Sequence, residues 1–410
     1  MTNKKVKKSC PDCGNAPVNH TIEWTSNVLS VIVEPLSYPM ERIWRAIEPV
    51  VGPFLSDTIS PILFKVFTTV GLGKITYAPN EKTGGRARIL WEEAIRRGID
   101  MYEFHLFGIG QELFVATYNG KTKCFEGLPR PGAKDSPGLA YMDDKEIVRE
   151  RFAAGGIPVA RGGVAMREHS AKKLFKTLRT PVVVKPEIGS RSRHTTTHIM
   201  TETEVVSAFD KAWQLCPWVI IEEEDVGFVY RGTVIGGKLF AVLRREPPMV
   251  IGDGVHTIAE LVALENKNPR RDGKIFHTLT IDEDAKAELA RQKISLEDIP
   301  AEGASVMLSQ KASRGLGGGA TDVTDTTHPD NKKMLEDAVA ILQDPLVGID
   351  FIIPDVTKSW KEQERCGIIE CNSMPFIDLH EFPLIGEPRN AAVALWDIVF
   401  PTSSKAPLQQ

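Results

Sequence analysis

Glu370 and Asn372 stand two residues apart inside the apolar run GIIECN, which begins at Gly367. Alternate side chains of a β-strand share a face, so this spacing puts the carboxylate and the amide on one side. It is expected to turn Ile369 and Cys371 into a core. No other stretch constrains the chain so tightly, because it requires a strand with one apolar face and one face of oxygen donors. A carboxylate beside an amide oxygen suits a hard cation such as Mg²⁺ carried by a nucleotide phosphate. Asp350, inside the apolar run VGIDFII, is placed to supply a third oxygen.

The residues that follow extend the pattern. Asn372, Pro375, His380, Pro383, Gly386, Pro388, Arg389 and the closing Leu395–Pro401 form one block. Two more are LRREPPMVIGDGVHTIAELVALENKNPRR, from Leu243 to Arg271, and GLGGGATDVTD, from Gly315 to Asp325. Together they resemble the ATP-grasp module of cyanophycin synthetases and of bifunctional glutathione synthetases, over residues 141–401. The resemblance implies an α+β ATP-grasp fold, in which two α/β lobes grip ATP, and it leaves the first 80 residues or so uncovered.

The chain has 410 residues, more than one core usually covers, so two or three domains are expected. With 42% hydrophobic and 25% charged residues the composition is that of a folded protein. A net charge of −4 and a pI near 6.2 leave no basic field for nucleic acid. Six scattered cysteines and the lack of a recognisable leader point to a reducing cytoplasm without disulfides. Residues 26–78 are apolar but interrupted by charges and by Pro35, Pro39, Pro49, Pro53 and Pro61, so they read as short helices rather than a membrane span. Their expected partner is the enzyme body or a second subunit of a homo-oligomer, not a membrane surface.

Residues 1–25 are polar and include CPDCG. Cys10 and Cys13 have the knuckle spacing of a zinc ribbon, but no second pair follows and only His20 and Cys124 offer help. The pair is therefore read as part of a reduced tail, dispensable for chemistry, rather than as a zinc site. Residues 79–85 read as a linker, Arg86–Ile99 as a helix, Met101–Phe107 as a strand, and Leu113–Thr117 with Lys121–Glu126 as a hairpin through Asn119-Gly120. This unit, residues 86–140, stands where ATP-grasp enzymes carry a preceding domain. Further on, a helix is expected to end at Gly155-Gly156, with strands at Pro181–Pro186 and Val219–Glu224 and a hairpin over Arg231–Arg245. Helical patterns cover Ile258–Leu264, Asp284–Arg291 and Asn331–Leu342.

The resemblance assigns roles residue by residue. Lys145 and Lys185 match the two lysines directed at ATP, and an ammonium at a strand end is a good point charge for phosphate. The segment after Lys185 matches a glycine-rich phosphate loop, but here only Gly189 remains, followed by Ser190, Arg191, Ser192, Arg193, His194 and Thr195. Hydroxyls and guanidinium groups would there assist the backbone in holding phosphate. Glu222, Glu223 and Asp225 lie in the hinge that meets adenine. The acid expected for the ribose is replaced by Val229, which leaves Glu224 or Asp225 to serve. Arg245 is expected to face the γ-phosphate or an acyl phosphate, and Arg389 to hold a substrate carboxylate or the tail itself. Asp253, His256 and Thr257 read as loop-fixing residues, and His380 as either packing or substrate contact. Asp350, Glu370 and Asn372 would hold two Mg²⁺ ions.

The function implied is an ATP-dependent ligase joining a small-molecule carboxylate to an amine. Its rival, prompted by the missing glycines and Val229, is a degenerate relative that binds nucleotide without catalysis. Retention of Asp350, Glu370 and Asn372 favours the ligase.

Overall fold

The structure, a computed structural model, describes residues 10–13, 18–29, 51–52, 54–130, 142, 144–188, 193–273, 275–310, 312 and 314–405. The expected loop residues Gly189, Ser190, Arg191 and Ser192 lie outside the described residues, as do Pro35, Pro39, Pro49 and Pro53.

The N-terminal sheet is an antiparallel meander of β1 (Gly73–Thr76), β2 (Asp100–Leu106), β3 (Ile109–Tyr118) and β4 (Lys121–Glu126). The turn between β3 and β4 is Asn119-Gly120, both at positive φ, which an Asn-Gly pair adopts at low cost. The helix Gly85–Arg96 packs on this sheet through Ile89, Leu90, Trp91 and Ala94. The same core takes in the C-terminal helix Ala391–Val399 through Leu395 and Trp396, whose indole N–H donates to the Leu90 carbonyl at 2.9 Å. The closing block of the chain therefore completes the N-terminal unit rather than forming a separate tail.

The helix Ser60–Thr69 leans on β2, where Phe64 stacks on Phe104 with ring centroids 4.2 Å apart. Among the described residues, no helix is long and apolar enough to cross a membrane.

A second sheet is built from β5 (Gly162–Ala165), β6 (Val182–Pro186), β7 (Thr196–Ile199) and β8 (Val219–Glu223), in the order β5-β8-β6-β7. The helices Glu168–Phe175 and Glu202–Trp213 cover one face over a core of Val182, Val184, Val205, Ala208 and Ile221. The latter helix opens with Thr201 and Glu204 in a reciprocal capping box.

The third sheet is the largest. It contains β9 (Phe228–Ile235), β10 (Lys238–Glu246), β13 (Gly319–Asp322), β14 (Leu346–Ile353) and β15 (Gly367–Asn372), in the order β13-β10-β9-β14-β15. Between β10 and β13 the chain forms a satellite of β11 (Met249–Ile251), β12 (Ser305–Met307) and two helices, Ile258–Glu265 and Glu283–Arg291, around their own small core. One face of the large sheet, with Tyr230, Val234, Val242, Ile349, Phe351 and Cys371, packs on the helix Pro329–Leu342. The opposite face carries Arg231, Thr233, Arg245, Asp350, Glu370 and Asn372.

One strand expectation is corrected here. The ladder pairs Asp350 with Glu370 but Phe351 with Ile368, so Ile369 is a bulge. An inserted residue shifts the alternation by one. Ile368, not Ile369, joins Cys371 in the core, and Ile369 reaches the cleft described next.

Candidate nucleotide and metal site

A cleft of about 290 Å³ opens between the second and third sheets. It lies at the small end of the range usual for small-molecule pockets. Its apolar walls are Val148 and Phe152 of the helix Lys145–Ala154, with Val159, Ile188 and Ile368. Its polar groups arrive from separate elements: Lys145 at a helix start, Lys185 on β6, Arg193 before β7, Glu222 on β8 and Glu370 on β15. Asp144 fixes Lys145 by capping that helix, its side chain accepting from the Ile147 N–H at 2.9 Å.

The lobes meet along one edge of this cleft. The Ile368 N–H donates to the Pro158 carbonyl at 2.9 Å, and Val159 bridges to Ile368. At the hinge, Arg365 donates to the carbonyls of Glu224, Thr180 and Pro181 at 2.9, 2.9 and 2.6 Å. Gly227 sits here at φ +123, and a Cβ would lie 2.3 Å from Ile353 backbone atoms, so only glycine fits.

The Lys145 ammonium donates to the Glu187 carbonyl at 2.8 Å. Burial lowers its pKa, and the nearby charge of Lys185 lowers it further. Lys185 itself is paired with Glu222 at 2.5 Å. Two ammonium groups aimed at one partly desolvated cleft repel each other, which a bound polyanion would relieve.

The two hinge glutamates part ways. Glu222 faces the cleft, whereas Glu223 points to the other side of β8, where Arg179 donates to it at 2.9 Å. Burial would raise the Glu223 pKa, but the bonds from Arg179 hold it below the usual range. The side chain of Glu223 therefore does not line the cleft, contrary to expectation, because neighbours on a strand alternate. Glu224 is also engaged, accepting from the His198 backbone N–H at 2.7 Å and its ring at 2.9 Å. Asp225 is different. One of its oxygens is buried without a hydrogen-bond partner among the described residues. Burial, then the charge of Glu222, pushes its pKa up to about 7.

The metal-binding candidates sit across the strands of the third sheet. Asp350 pairs in register with Glu370 on one side and with Arg231 on the other, and Gly348 pairs with Asn372. Both Asp350 oxygens accept from Arg231 at 2.6 Å, and Arg245 approaches one of them at 3.3 Å. Arg245 also donates to the Ala312 carbonyl at 2.8 Å. Burial, then Asp350, raises the Glu370 pKa, while Lys145, Arg231 and Lys185 oppose the rise. Among the described residues nothing donates a hydrogen bond to the Glu370 carboxylate, and the Asn372 amide nitrogen is buried without a partner. Glu370 and Asn372 share one face of β15, as candidate Mg²⁺ ligands would, whereas Asp350 would have to share its charge with Arg231.

Arg389 is placed elsewhere. It donates to Asp322 at 3.0 Å and to Asp325 at 2.7 Å, tying the C-terminal block to the glycine-rich segment. His380 is 1% exposed and its ring nitrogen meets the Thr233 hydroxyl at 2.7 Å, so it packs. Burial brings its pKa down to about 3, which keeps the ring neutral. Asp253 accepts from the Val255 and His256 N–H groups and pairs with the His256 ring, and Thr257 caps a helix, so these three shape a loop.

Sequence reasoning missed Arg231 and Glu187. A single arginine inside the apolar strand FVYRGTVI was the available signal for the first, since a buried charge requires a partner. Of the two helpers it offered Cys10 and Cys13, His20 is in place and Cys124 is not, and His194 was missed. The thiols meet His20 and His194, and all four ligand atoms lie within 4.8 Å of one another. Cys124 lies on β4, where its N–H donates to Asp57.

No protein-family model matches the chain. Full-length comparisons do find relatives. The chain is 30% identical over 329 residues to a cyanophycin synthetase of Trichormus variabilis, covering 78% of this chain and 35% of the relative. It is 31% identical over 323 residues to a bifunctional glutathione biosynthesis protein of Clostridium perfringens, covering 76% and 40%. Among solved structures, the bifunctional glutathione synthetase of Pasteurella multocida superposes with a TM-score of 0.61 at 24% identity, covering 77% of this chain and 43% of that one. The chain is a homologue of these proteins and has the ATP-grasp fold. This ATP-grasp chain spans only 35–40% of the length of those two curated relatives.

Proposed function

We propose that this ATP-grasp chain is an ATP-dependent carboxylate–amine ligase acting on an amino acid or small peptide. The observation that carries the reading is the convergence of Lys145, Lys185 and Arg193 on a cleft whose far wall presents Glu370. Cations on one side and, on the other, a carboxylate to which no described residue donates suit a nucleotide triphosphate and its metal ion. The relatives' names, cyanophycin synthetase and glutathione biosynthesis protein, support amide-bond synthesis as the reaction class.

In this reading a substrate carboxylate oxygen attacks the γ-phosphorus of ATP, and the bond to the bridging oxygen breaks to leave ADP. The amine then attacks the acyl carbon, inorganic phosphate departs with the C–O electron pair, and the amine proton passes to solvent. Lys145 and Lys185 hold the phosphates, and Arg245 stabilises charge on the transferring group. Asp225 accepts a hydrogen bond from the nucleoside in place of the acid replaced by Val229. Glu370 and Asn372, with a share of Asp350, would hold Mg²⁺, which supplies charge neutralisation along the phosphates. Gly189, Ser190 and Ser192 are assigned to the phosphate loop and the backbone of Glu223 to the adenine hinge, while Arg389 acts by holding the glycine-rich segment.

The test is a screen for ADP and phosphate release with Mg²⁺ over pairs of amino acids and short peptides. Release that depends on both an acid and an amine, with a new amide product by mass spectrometry, is the expected result. Tight ATP binding without release in any pairing would favour the degenerate, non-catalytic reading.

A further inference from the structure

We propose that Cys10, Cys13, His20 and His194 form a structural zinc site that fastens the N-terminal knuckle to the rim of the nucleotide cleft. The four ligand atoms come from three places in the chain. The thiols flank the short turn Pro11–Cys13, closed by a Cys13 N–H to Cys10 carbonyl bond of 3.2 Å. His20 opens the helix at 20–29, and His194 lies immediately before β7.

The spacing fits one ion. Cys13 Sγ lies 3.2 Å from His20 Nε2 and 3.5 Å from His194 Nε2, and Cys10 Sγ lies 3.6 Å from His194 Nε2. A tetrahedral zinc with ordinary Zn–S and Zn–N bonds sets sulfur and nitrogen ligands about 3.5 Å apart. Two thiols and two imidazoles are a ligand set that selects zinc over Mg²⁺ or Ca²⁺. As thiolates with neutral imidazoles they balance a divalent ion exactly in charge, so the assembly can sit beside Cys13 and His194, exposed by only 3% and 1%.

The second layer of contacts already orients the ring. His194 Nδ1 lies 2.6 Å from the Lys211 carbonyl, so its N–H donates there and the Nε2 lone pair is left facing both sulfurs. The His194 backbone is held at φ +52 by its N–H to the Asp12 carbonyl at 3.0 Å. Asp12 in turn pairs with Lys211 at 3.6 Å. A histidine kept in the left-handed region needs such surroundings to fix it. Beyond the knuckle, Trp24 meets Trp213 and Asn27 donates to the Leu215 carbonyl at 2.9 Å, so the segment is docked on the second sheet's helix layer. Position links this site to nucleotide binding. Arg193, which lines the cleft, is the residue before His194, so the ion would fix where that guanidinium stands. This second consequence rests on the proposed nucleotide site; the metal site itself does not.

The experiment uses the full chain purified under reducing conditions without chelators. Elemental analysis is expected to find about one zinc per chain, falling at least tenfold in Cys13→Ser and in His194→Gln but not in Cys124→Ser. Native protein stripped and refilled with Co²⁺ alone should show the intense visible bands of a tetrahedral thiolate site, displaced by added zinc. This readout decides the matter if the variants fail to fold. Calorimetry with ATP should then show weaker binding by the stripped protein than by the zinc-loaded one. Absence of both zinc and the cobalt spectrum in the native protein, or a Cys10–Cys13 disulfide that persists under reductant, would overturn the site. Full zinc content in His194→Gln would overturn the role of His194. A metal site that proves real with ATP affinity unchanged would overturn only the link to the cleft.

Discussion

The two walls of the cleft solve the problem of buried charge in opposite ways. On the third sheet, Arg231, Asp350 and Glu370 stand in register across adjacent strands, and the Arg231–Asp350 pair is bidentate at 2.6 Å. The Arg231–Asp350 charges are matched within the protein before any ligand arrives, while burial and Asp350 raise the Glu370 carboxyl. Just past the second sheet's strands, Glu187 after β6 and Asp225 after β8 are both pushed up to about 7, chiefly by burial, and one Asp225 oxygen is buried without a partner among the described residues. The first wall is a preorganised ion-pair scaffold, and the second carries polar capacity left unsatisfied among the described residues. Substitutions on the two walls should therefore differ in kind: the first wall governs turnover and stability, the second governs binding and its pH dependence.

The largest effect is expected at Glu370. Glu370→Gln keeps the shape of the strand but removes the carboxylate that lines the cleft. ADP formation should fall by about 100-fold or more, the size seen when one preorganised electrostatic group is lost, while the melting temperature holds. Turnover near wild type would mean that the first wall does not hold the metal.

Next comes Arg231→Met, which leaves Asp350 buried without its main partner. Breaking such a pair costs about 3–5 kcal/mol, so the urea midpoint should drop markedly. Asp350→Asn in the same background should recover part of the loss. If Arg231→Met unfolds like the parent, the pair is not the matched scaffold that separates this wall from the other.

On the second wall, Lys185→Ala should raise the ATP KM by about tenfold, the value of one charge-assisted bond to phosphate. Glu223→Gln, one strand position from Glu222, should leave that KM unchanged because its side chain faces Arg179. Equal effects in both variants would erase the distinction between the faces of β8.

Much of this was legible in the sequence. The hairpin over Arg231–Arg245, the helix ended by Gly155-Gly156 and the Asn119-Gly120 turn follow local rules that tertiary context does not override. That Glu370 and Asn372 share a face was legible because residues of one parity lie on one side of a strand. The bulge at Ile369 was not legible, since nothing local marks it; it is set by how β15 meets β14. Glu223 misled because a run of acids conceals which members face inward. His194 could not be paired with Cys10, since a separation of 184 residues leaves no spacing rule to apply. Arg231 was read only as the start of a hairpin, although its place among apolar neighbours demanded the partner that Asp350 supplies.

The smallest expected effect tests the open capacity of the second wall. Burial comes first among the causes that raise Asp225, then the charge of Glu222, while Lys185 and Arg365 pull the other way. A carboxyl whose pKa is raised on folding binds its proton more tightly in the native state. The sign follows: stability falls as pH rises through the window from the ordinary carboxylate value near 4 to about 7, and is flat above it. Asp225→Asn removes this titration, so the ligand-free variant should melt higher than the parent at pH 7.5 and about equally at pH 4, by a degree or two per half kcal/mol recovered. Glu187 titrates over the same window, also to about 7, so the parent's slope should be reduced rather than abolished. Thermal melts from pH 4 to 8 on both proteins decide it. With ATP present the order should reverse at neutral pH, because an ionised Asp225 accepting from the nucleoside is worth more to the complex than its burial costs. Parallel melting curves without ligand would show that Asp225 is solvated like any surface acid, and that the second wall is no less matched than the first.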